Sequence, residues 1–440
     1  MIMNVLFLNQ NDPLRDSGII AMDLYNEFRK RGHNVKLLVN YYREGGYPDD
    51  IICFETKFKF KFRKLKKKIT SRLEWLNPIK TNPYYHFHEV RERRTFYSTR
   101  KLLKSTGFIP DLIFVLFAKD FINSRNIYEF YDLTRAHIFW IMYDMAPFTG
   151  GCHYAWDCIG YQRQCGKCPG LYSGNPNDIS HRNLLYKKKY ISKTDIHIIA
   201  GSEWQYRQAV SSFLFQGKHI YKILLPFDPL IFRPASKSEA REKLGISSKK
   251  KVIFFGAVYM ADKRKGIHYL QESLRILRDS YHDLNSDDII LLIAGRDLRN
   301  EALTSFVESL PFKCTMLEYL SKREEIASVY QASDVYLCPS IEDSGPSMIN
   351  QSILCGTPVV SFEMGVALDL VVTGKTGYRA RLKDSGDMAE GLHSILVLGE
   401  KEYQVISNNC REIGLKYCTH EVQIREFEKI MENSGNGNRK

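Results

Sequence analysis

The 440-residue sequence contains no run of roughly 18 apolar residues, the length that a membrane-spanning helix needs. Its longest apolar stretches, 112–118 and 137–142, have the length of buried strands. The opening segment MIMNVLFLNQND has no basic leader and no long apolar core, so it predicts a strand rather than a signal peptide. We therefore expect a cytoplasmic protein in a reducing compartment.

The chain also lacks internal repeats, and its 44% hydrophobic and 26% charged residues are those of an ordinary globular protein. It is longer than one hydrophobic core usually supports, so two domains are expected. Segment 226–236 holds three prolines and is typical of a linker. We predict a first domain at 1–225, a second domain at 237–400, a long helix at 401–433 that packs back toward the first domain, and a disordered tail at 434–440.

Apolar runs alternate with amphipathic stretches in both halves of the chain. The predicted strands are 5–8, 35–39, 112–117, 137–142 and 197–200 in the first half, and 252–255, 289–294, 335–338 and 358–362 in the second. The predicted helices include a long one near 89–106 and two shorter ones at 266–280 and 346–354. Two such series joined by a linker predict an α/β protein with two doubly wound, Rossmann-like domains facing a cleft.

The net charge of +13 is concentrated in segment 57–72, which has nine Lys or Arg residues and no acid. Three phenylalanines alternate with its first cations, and leucines and isoleucines then fall near one helical face. Such a basic amphipathic insertion favours binding to anionic lipid headgroups, at about 1 kcal/mol per cation. Nucleic acid, or no partner at all, are the alternatives. We expect peripheral association with the inner face of the plasma membrane.

Four of the ten cysteines lie in one loop, residues 150–170, after a predicted strand. They are Cys152, Cys158, Cys165 and Cys168. This spacing suits four thiolates around one tetrahedral zinc ion, and Gly166 leaves room for amides to face sulfur. We predict structural zinc in this cysteine loop, with two disulfides or four unrelated thiols as alternatives.

Two further loops carry residues suited to an anionic, hydroxyl-rich ligand. Lys263, Arg264 and Lys265 precede Gly266 at the start of a helix, where cations and amides together bind anions. The loop PSIEDSGPSMINQSILCGTPVV places two carboxylates before another helix start. Carboxylates accept hydrogen bonds from sugar hydroxyls, and the unpaired amides bind phosphate.

Taken together, these motifs resemble family 4 glycosyltransferases of the GT-B fold. The resemblance covers most of residues 3–395, and it rests on the opening strand with Ser17-Gly18, the strand GHNVKLLV, the linker PFDPLIFRP, the RKG loop and the acidic loop ending in CGTPVV. The cysteine loop resembles that of a subgroup among bacterial surface-polysaccharide transferases. The resemblance implies retaining transfer of a sugar from a nucleotide-diphosphate donor to a glycan or lipid-linked acceptor in polysaccharide biosynthesis.

In that family, two glutamates eight positions apart in the acidic loop bind the donor-sugar hydroxyls and the nucleotide ribose. The matching positions here are Asp343 and Gln351, and Glu342 is a rival for the first role. The resemblance implies further donor contacts at the first-strand loop and at the start of the acidic-loop helix: Gly18, Gly345, Pro346, Ser347, Met348, Ile349 and Asn350.

The resemblance also implies the catalytic residues, which are Lys265, Arg264 and Asp343. Lys265 matches the family's phosphate-binding lysine. The family's arginine is absent, because Ala257 follows Gly256, and Arg264 or Lys263 would replace it. These cations would stabilise charge on the departing phosphate. No Asp-x-Asp motif is evident, so we expect no divalent metal in catalysis.

On the acceptor side, family members often carry His-Asp after a strand, where this chain has Tyr143-Asp144. His153 is a candidate substitute, with a metal-ligand or structural role as the alternative. Two other functions stay open. One is a GT-B-type epimerase or phosphorylase, although no pyridoxal-binding lysine is evident. The other is a zinc-dependent nucleic-acid-binding protein, which the acidic loop disfavours, so we expect no nucleic-acid partner.

Overall fold

The computed structural model describes residues 2–13, 18–40, 47–55, 61–62, 79–296 and 301–437, without the side chains of 301–303 and 434–437. The chain divides into two compact units. Unit 1 contains Met1–Ala200 and Gln205–Lys222, and unit 2 contains Gly201–Trp204 and Ile223–Lys440. Within the described ranges, no helix has the length and apolar character needed to span a bilayer.

Unit 1 is built on a parallel seven-stranded sheet with the order β3-β2-β1-β4-β5-β6-β7. The strands are β1 (Asn4–Asn9), β2 (Asn34–Val39), β3 (Ile51–Cys53), β4 (Leu112–Val115), β5 (His137–Ile141), β6 (His197–Ala200) and β7 (His219–Lys222). The helices are α1 (Gly18–Lys30), α2 (Thr99–Thr106), α3 (Ser124–Thr134), α4 (Ile179–Ile191) and α5 (Glu203–Val210), whose first two residues belong to unit 2. Every residue of β4 is buried, as expected of a parallel strand covered on both faces.

Unit 2 is built on a parallel six-stranded sheet with the order β10-β9-β8-β11-β12-β13. The strands are β8 (Lys251–Ala257), β9 (Ile289–Gly295), β10 (Lys313–Leu317), β11 (Val335–Cys338), β12 (Val359–Phe362) and β13 (Gly377–Ala380). The helices are α6 (Lys237–Lys243), α7 (Ile267–Ser280), α8 (Glu301–Glu308), α9 (Arg323–Ala332), α10 (Ser347–Leu354), α11 (Ala367–Leu370), α12 (Ser385–Leu396), α13 (Glu400–Tyr417) and α14 (His420–Gly437).

Both sheets are doubly wound, and both have one topological switch point. In unit 1 the chain leaves β1 toward one edge and returns at β4, and in unit 2 it leaves β8 and returns at β11. Ligands of open α/β sheets bind outside the carboxyl ends of the strands at such points. The loops that follow β1, β4, β8 and β11 are therefore where the chemistry is expected.

The prediction of one long helix near 89–106 is wrong, because α2 begins only at Thr99. Long-range contacts hold the preceding residues in an irregular path. The buried carboxylate of Glu92 accepts hydrogen bonds from the backbone N and Oγ of Ser124, at 2.9 and 2.6 Å. The side chain of Asn123 donates to the Glu92 carbonyl at 3.0 Å. These bonds outweigh the local helical pattern.

The prediction of a single helix at 401–433 is also wrong, since α13 ends at Tyr417 and α14 begins at His420. At the break, the carbonyl of Cys418 accepts a hydrogen bond from the backbone N of Phe227 at 2.9 Å. The linker thus docks where the helix would continue. Helix α14 extends to Gly437, whereas a disordered tail was predicted from 434. Of the basic segment 57–72, only residues 61–62 lie within the described residues, and Ser17 lies outside them.

Candidate functional site

Two loops meet at the switch point of unit 2. The first follows β8 and ends in a short 3-10 turn at Lys263–Lys265, and the second follows β11 and leads into α10. Gly266 allows their close approach, because it has a φ of +64° and a Cβ built on it would lie 1.9 Å from the carbonyl oxygen of Pro339. The backbone N of Ile341 also donates to the carbonyl of Arg264 at 2.8 Å.

Cations from the first loop pair with carboxylates at this junction. The Nζ of Lys265 lies 2.7 Å from Oδ2 of Asp343, and a guanidinium nitrogen of Arg264 lies 3.8 Å from the same oxygen. Arg264 also binds Asp262 at 2.5 Å. Burial alone would raise the pKa of Asp343, but the charges of Lys265 and Arg264 hold that pKa below its ordinary value.

The start of α10 presents donors beside this ion pair. Its N-cap residue is Pro346, and no side chain caps the first turn, so the amides of Ser347 and Met348 have no partner within the helix, whereas that of Ile349 donates to the carbonyl of Pro346 at 2.9 Å. The Oδ1 of Asp343 accepts from the backbone N of Gly345 at 3.2 Å. The hydroxyl oxygen of Ser344 is buried and has no hydrogen-bond partner in the part of the chain that the structure describes. Cations, free amides and a hydroxyl together suit a phosphorylated ligand.

Other predicted donor residues of unit 2 are packed into its interior to different degrees. The Oε1 of Gln351 accepts from the hydroxyl of Tyr330 at 3.1 Å. Asn350 is 1% exposed, and its Nδ2 donates to the carbonyl of Leu225 at 2.9 Å. This side chain therefore has a structural role, because it holds the backbone at Leu225. Its predicted contact with the donor stays a prediction. Glu342 and Ile349 are buried, Met348 and Ser347 are partly exposed, and Lys263 is exposed.

In unit 1, a cavity of about 250 Å³ lies at the carboxyl ends of β1, β4 and β5, at the switch point of that sheet. Gln10 and Asn11 line it after β1, and Phe117 lines it after β4. Tyr143 and Asp144, predicted on the acceptor side, line it after β5. Gly18 lies outside this lining and begins α1, close to the carbonyl of Asp12.

The cysteine loop contributes His153 to the same cavity. The Nδ1 of His153 lies 2.8 Å from Oδ2 of Asp144, and its Nε2 lies 3.7 Å from Oε1 of Glu89. Burial lowers the pKa of this imidazole, but the charges of Asp144 and Glu89 outweigh burial and raise the pKa to about 9. The structure thus brings Asp144 and His153 together, and adds Glu89.

Glu89 and Lys187 were not predicted from the sequence. Lys187 is 2% exposed, lines the cavity from α4, and donates to the carbonyls of Ala146 and Thr149 at 2.6 and 3.1 Å. Their positions depend on contacts between distant segments, and no local motif marks either residue. Tyr143 stacks on Phe117 at 4.4 Å between ring centroids, and burial raises the pKa of its hydroxyl.

All ten cysteines are free thiols, so the disulfide alternative has no support in this structure. The four thiols of the cysteine loop interact electrostatically with one another, and burial raises the pKa of Cys165 to about 12. Backbone amides face three of the sulfurs: Gly160 faces Cys158 at 3.4 Å, Gly150 faces Cys165, and Gly170 faces Cys168. Gly166 has a φ of +92°, and a Cβ there would lie 2.1 Å from the carbonyl oxygen of Pro176.

These four thiols have the chemistry of a zinc site, because amides that face sulfur stabilise thiolate ligands. In this structure the four thiols are not grouped as they would be around a bound metal ion. Among the described residues, no three His, Cys, Asp or Glu side chains are arranged to share one metal ion. Zinc in the cysteine loop therefore stays a prediction.

One protein-family model matches most of unit 2. Residues 236–412 match the family model described as "Glycosyl transferases group 1". This range includes both loops at the switch point of unit 2, with Lys265 and Asp343.

Two of the curated relatives that match part of the chain illustrate the similarity. One is the D-inositol 3-phosphate glycosyltransferase of Corynebacterium urealyticum, 32% identical over 164 residues, which are 36% of this chain and 37% of the relative. The other is the N,N'-diacetylbacillosaminyl-diphospho-undecaprenol alpha-1,3-N-acetylgalactosaminyltransferase of Campylobacter jejuni, 22% identical over 215 residues, 48% of this chain and 53% of the relative. The chain thus spans only about a third to a half of the length of these relatives.

The fold comparison covers nearly the whole chain. Sucrose-phosphate synthase from Thermosynechococcus elongatus matches with a TM-score of 0.67 over 99% of this chain and 100% of that one, at 14% identity. The protein has the GT-B fold, as predicted, with two parallel-sheet α/β units. The family model and the relatives support an enzyme of the glycosyltransferase class.

Proposed function

We propose that the protein is a retaining glycosyltransferase that moves a sugar from a nucleotide-diphosphate donor to a glycan or lipid-linked acceptor in polysaccharide biosynthesis. The observation that carries this proposal is the junction at the switch point of unit 2. There Lys265, Arg264 and the uncapped start of α10 surround Asp343. A sugar diphosphate needs anion-binding donors and a carboxylate acceptor in one place, and this junction supplies both.

In this proposal the donor diphosphate lies against Lys265 and the first amides of α10. As the glycosidic bond breaks, negative charge grows on the leaving phosphate. Lys265 and Arg264 stabilise that charge more strongly in the transition state than in the bound donor. Asp343 accepts hydrogen bonds from the donor sugar, and Gln351 contacts the ribose.

In a single displacement, retention requires that the acceptor hydroxyl attack the anomeric carbon on the side from which the phosphate leaves. The leaving phosphate then takes the proton of that hydroxyl, so no protein base is required in this step. The acceptor would bind to unit 1, at Tyr143, Asp144 and His153. The relative from Campylobacter jejuni is named for a lipid-linked substrate, which supports an acceptor of that class.

Two further features belong to the proposal. Structural zinc would be held by Cys152, Cys158, Cys165 and Cys168, and its role would be to stabilise the cysteine loop. Peripheral binding to an anionic membrane is proposed from the sequence of segment 57–72, because basic residues there would bring the enzyme to a lipid-linked acceptor.

A panel of UDP-, GDP-, ADP- and CMP-sugars, each added to the purified protein, tests the donor assignment by thermal unfolding. A donor that binds only the folded protein should raise the melting temperature, and its own nucleotide should raise it less. Wild type should respond to at least one donor and Lys265→Ala should respond less. If oligonucleotides stabilised the protein and no sugar nucleotide did, the proposal would be wrong.

A further inference from the structure

We propose that the unit 1 cavity binds one sugar ring of the acceptor through a hydroxyl group held between His153 and Glu89, and that it rejects a phosphorylated ring. This inference rests on the proposed function, since it names the acceptor class for the same enzyme. The cavity lies at the switch point of the unit 1 sheet and is about 250 Å³ in volume, which suits one sugar ring.

The position of the hydroxyl follows from the space between two polar atoms that do not bond to each other, Nε2 of His153 and Oε1 of Glu89. Asp144 accepts from Nδ1 of His153 at 2.8 Å and so orients the ring. The opposite nitrogen, Nε2, is buried, lines the cavity and has no hydrogen-bond partner within the described residues. Oε1 of Glu89 lies 3.7 Å from this nitrogen, too far for a direct hydrogen bond. An oxygen atom bound beside both groups would complete their hydrogen bonding.

The chemistry of that oxygen is restricted by its two neighbours. The Glu89 carboxylate only accepts hydrogen bonds, so the bound group must donate one to it. Nε2 can donate or accept, depending on its protonation. A hydroxyl can accept from a protonated Nε2 or donate to an unprotonated one. A hydroxyl therefore satisfies both neighbours. A phosphate dianion has no hydrogen to donate to Glu89, and it would bring a second negative charge to a distance of roughly 4 Å.

The remaining walls of the cavity supply polar groups and an aromatic surface. Glu92 is buried, accepts two hydrogen bonds from Ser124, and burial raises the pKa of its carboxyl group. Lys119, which is half-buried, also lines the cavity. Lys187 has two of its hydrogens engaged by backbone carbonyls, so little of its donor capacity faces a ligand. Trp140 contributes an aromatic surface to the lining. Hydroxyl acceptors beside an aromatic side chain suit a neutral sugar.

Saturation-transfer NMR on the full chain tests this inference without any nucleotide present. The probes are glucose, galactose and N-acetylglucosamine at millimolar concentration, each as the free sugar and as its 6-phosphate. Wild type should transfer saturation to at least one free sugar and far less to its phosphate. No transfer to any free sugar, or equal transfer to a free sugar and its phosphate, would overturn the inference.

Variants of Glu89 locate the signal in this cavity. Glu89→Ala should weaken binding of the free sugar roughly tenfold or more, because a charge-assisted hydrogen bond is lost. Glu89→Gln keeps an acceptor oxygen, so it should retain most of that binding, and it should bind the 6-phosphate better than wild type does. Asp132→Asn is the control, because Asp132 is an exposed carboxylate of α3 that pairs with Arg135. Unchanged binding in Glu89→Ala would contradict the assignment.

Nucleotide binding, measured separately by thermal unfolding, distinguishes this inference from the proposed function. If the protein binds sugar nucleotides but no free sugar, only the cavity assignment is overturned. If it binds free sugars in a Glu89-dependent way but binds no sugar nucleotide, the cavity assignment is supported and the proposed donor site is wrong.

Discussion

The Nζ of Lys265 lies 2.7 Å from Oδ2 of Asp343, although 78 positions separate the two residues in the sequence. This ion pair links the loop after β8 to the loop after β11. In the proposed enzyme, one partner binds the donor diphosphate and the other binds the donor sugar. A donor must therefore replace this ion pair with two contacts of its own, so recognition of phosphate and recognition of sugar are coupled.

Lys265→Ala should reduce kcat by about one to two decades and should also raise the donor KM. The reason is that a charge-assisted contact contributes roughly 1.5–3 kcal/mol and strengthens as charge moves to the phosphate. Steady-state kinetics with the preferred donor measure both effects. Lys250→Ala is the control, because Lys250 of the same unit pairs with Asp288 outside the proposed site. Unchanged kcat and KM in Lys265→Ala would remove the main support for the donor assignment.

Asp343→Ala and Gln351→Ala should have different effects on ligand binding. Asp343→Ala should reduce discrimination between donor sugars, because its proposed partner is a sugar hydroxyl. Gln351→Ala should weaken the bare nucleotide diphosphate about threefold to tenfold, the effect of one neutral hydrogen bond. Calorimetry with sugar nucleotide and bare nucleotide separates the two roles. If both variants lost affinity for the two ligands equally, the separate roles would be wrong.

His197 of β6 should make the stability of unit 1 depend on pH. Its side chain is buried, its Nδ1 has no partner in the described parts of the chain, and burial lowers the pKa of the imidazole to about 4. Between pH of about 6.5 and about 4, the unfolded chain binds a proton that the folded chain does not. The free energy of unfolding should therefore fall as pH is lowered through this window, by about 3 kcal/mol for this group.

Urea unfolding at a series of pH values measures this effect. His197→Phe, which keeps a ring against Phe139, should remove this part of the pH dependence. His282→Phe, at an exposed position of unit 2, should keep it. A His197→Phe protein with the pH dependence of wild type would show that another group is responsible.

Metal analysis of the purified protein should find about one zinc per chain. Cys165→Ser should lose the metal and melt at a lower temperature, since a structural zinc site contributes to the free energy of unfolding. Cys314→Ser is the control, because this half-buried cysteine lies in unit 2, outside the cysteine loop. A metal-free protein with full activity would exclude the zinc site.

The basic segment should bind anionic vesicles. A variant with four lysines changed to glutamine should bind more weakly: Lys64, Lys66, Lys67 and Lys68. Added salt should weaken wild-type binding, because the attraction is electrostatic. Vesicle sedimentation measures both. The control carries the same charge change at four exposed lysines of unit 2: Lys243, Lys249, Lys401 and Lys416. Equal binding by both variants and wild type would contradict a membrane role for this segment.

Nine of the thirteen strands that the structure describes were predicted from the sequence to within two residues, as the run Val335–Cys338 illustrates. The four that were missed, β3, β7, β10 and β13, are the edge strands of the two sheets, and each is only partly buried. Buried parallel strands are continuous apolar runs, and that signal is local. The alternation of strands and helices predicted two doubly wound domains, but it predicted neither the order of the strands nor the switch points. The prediction of a helix near 89–106 failed because Glu92 accepts hydrogen bonds from Ser124. A contact between such distant residues cannot be inferred from the local sequence pattern.

The candidate site was predictable only where a residue belongs to a recognisable short sequence motif. Lys265 and Asp343 stand in short motifs beside predicted strand ends, and the structure brings them into contact. Glu89 was missed because its partner His153 is distant in the sequence, and neither side chain implies the other. The contact of Tyr330 with Gln351 was missed for the same reason.

The close approach of Gly266 to Pro339 has a consequence for protein engineering. A Cβ at position 266 would lie 1.9 Å from the carbonyl oxygen of Pro339, so the two loops approach this closely only while residue 266 is glycine. Exchanging residues 258–266 for a loop with a side chain at its last position would push the two loops apart. A chimera intended to accept a new donor should therefore keep Gly266, or transplant residues 258–266 together with residues 339–346.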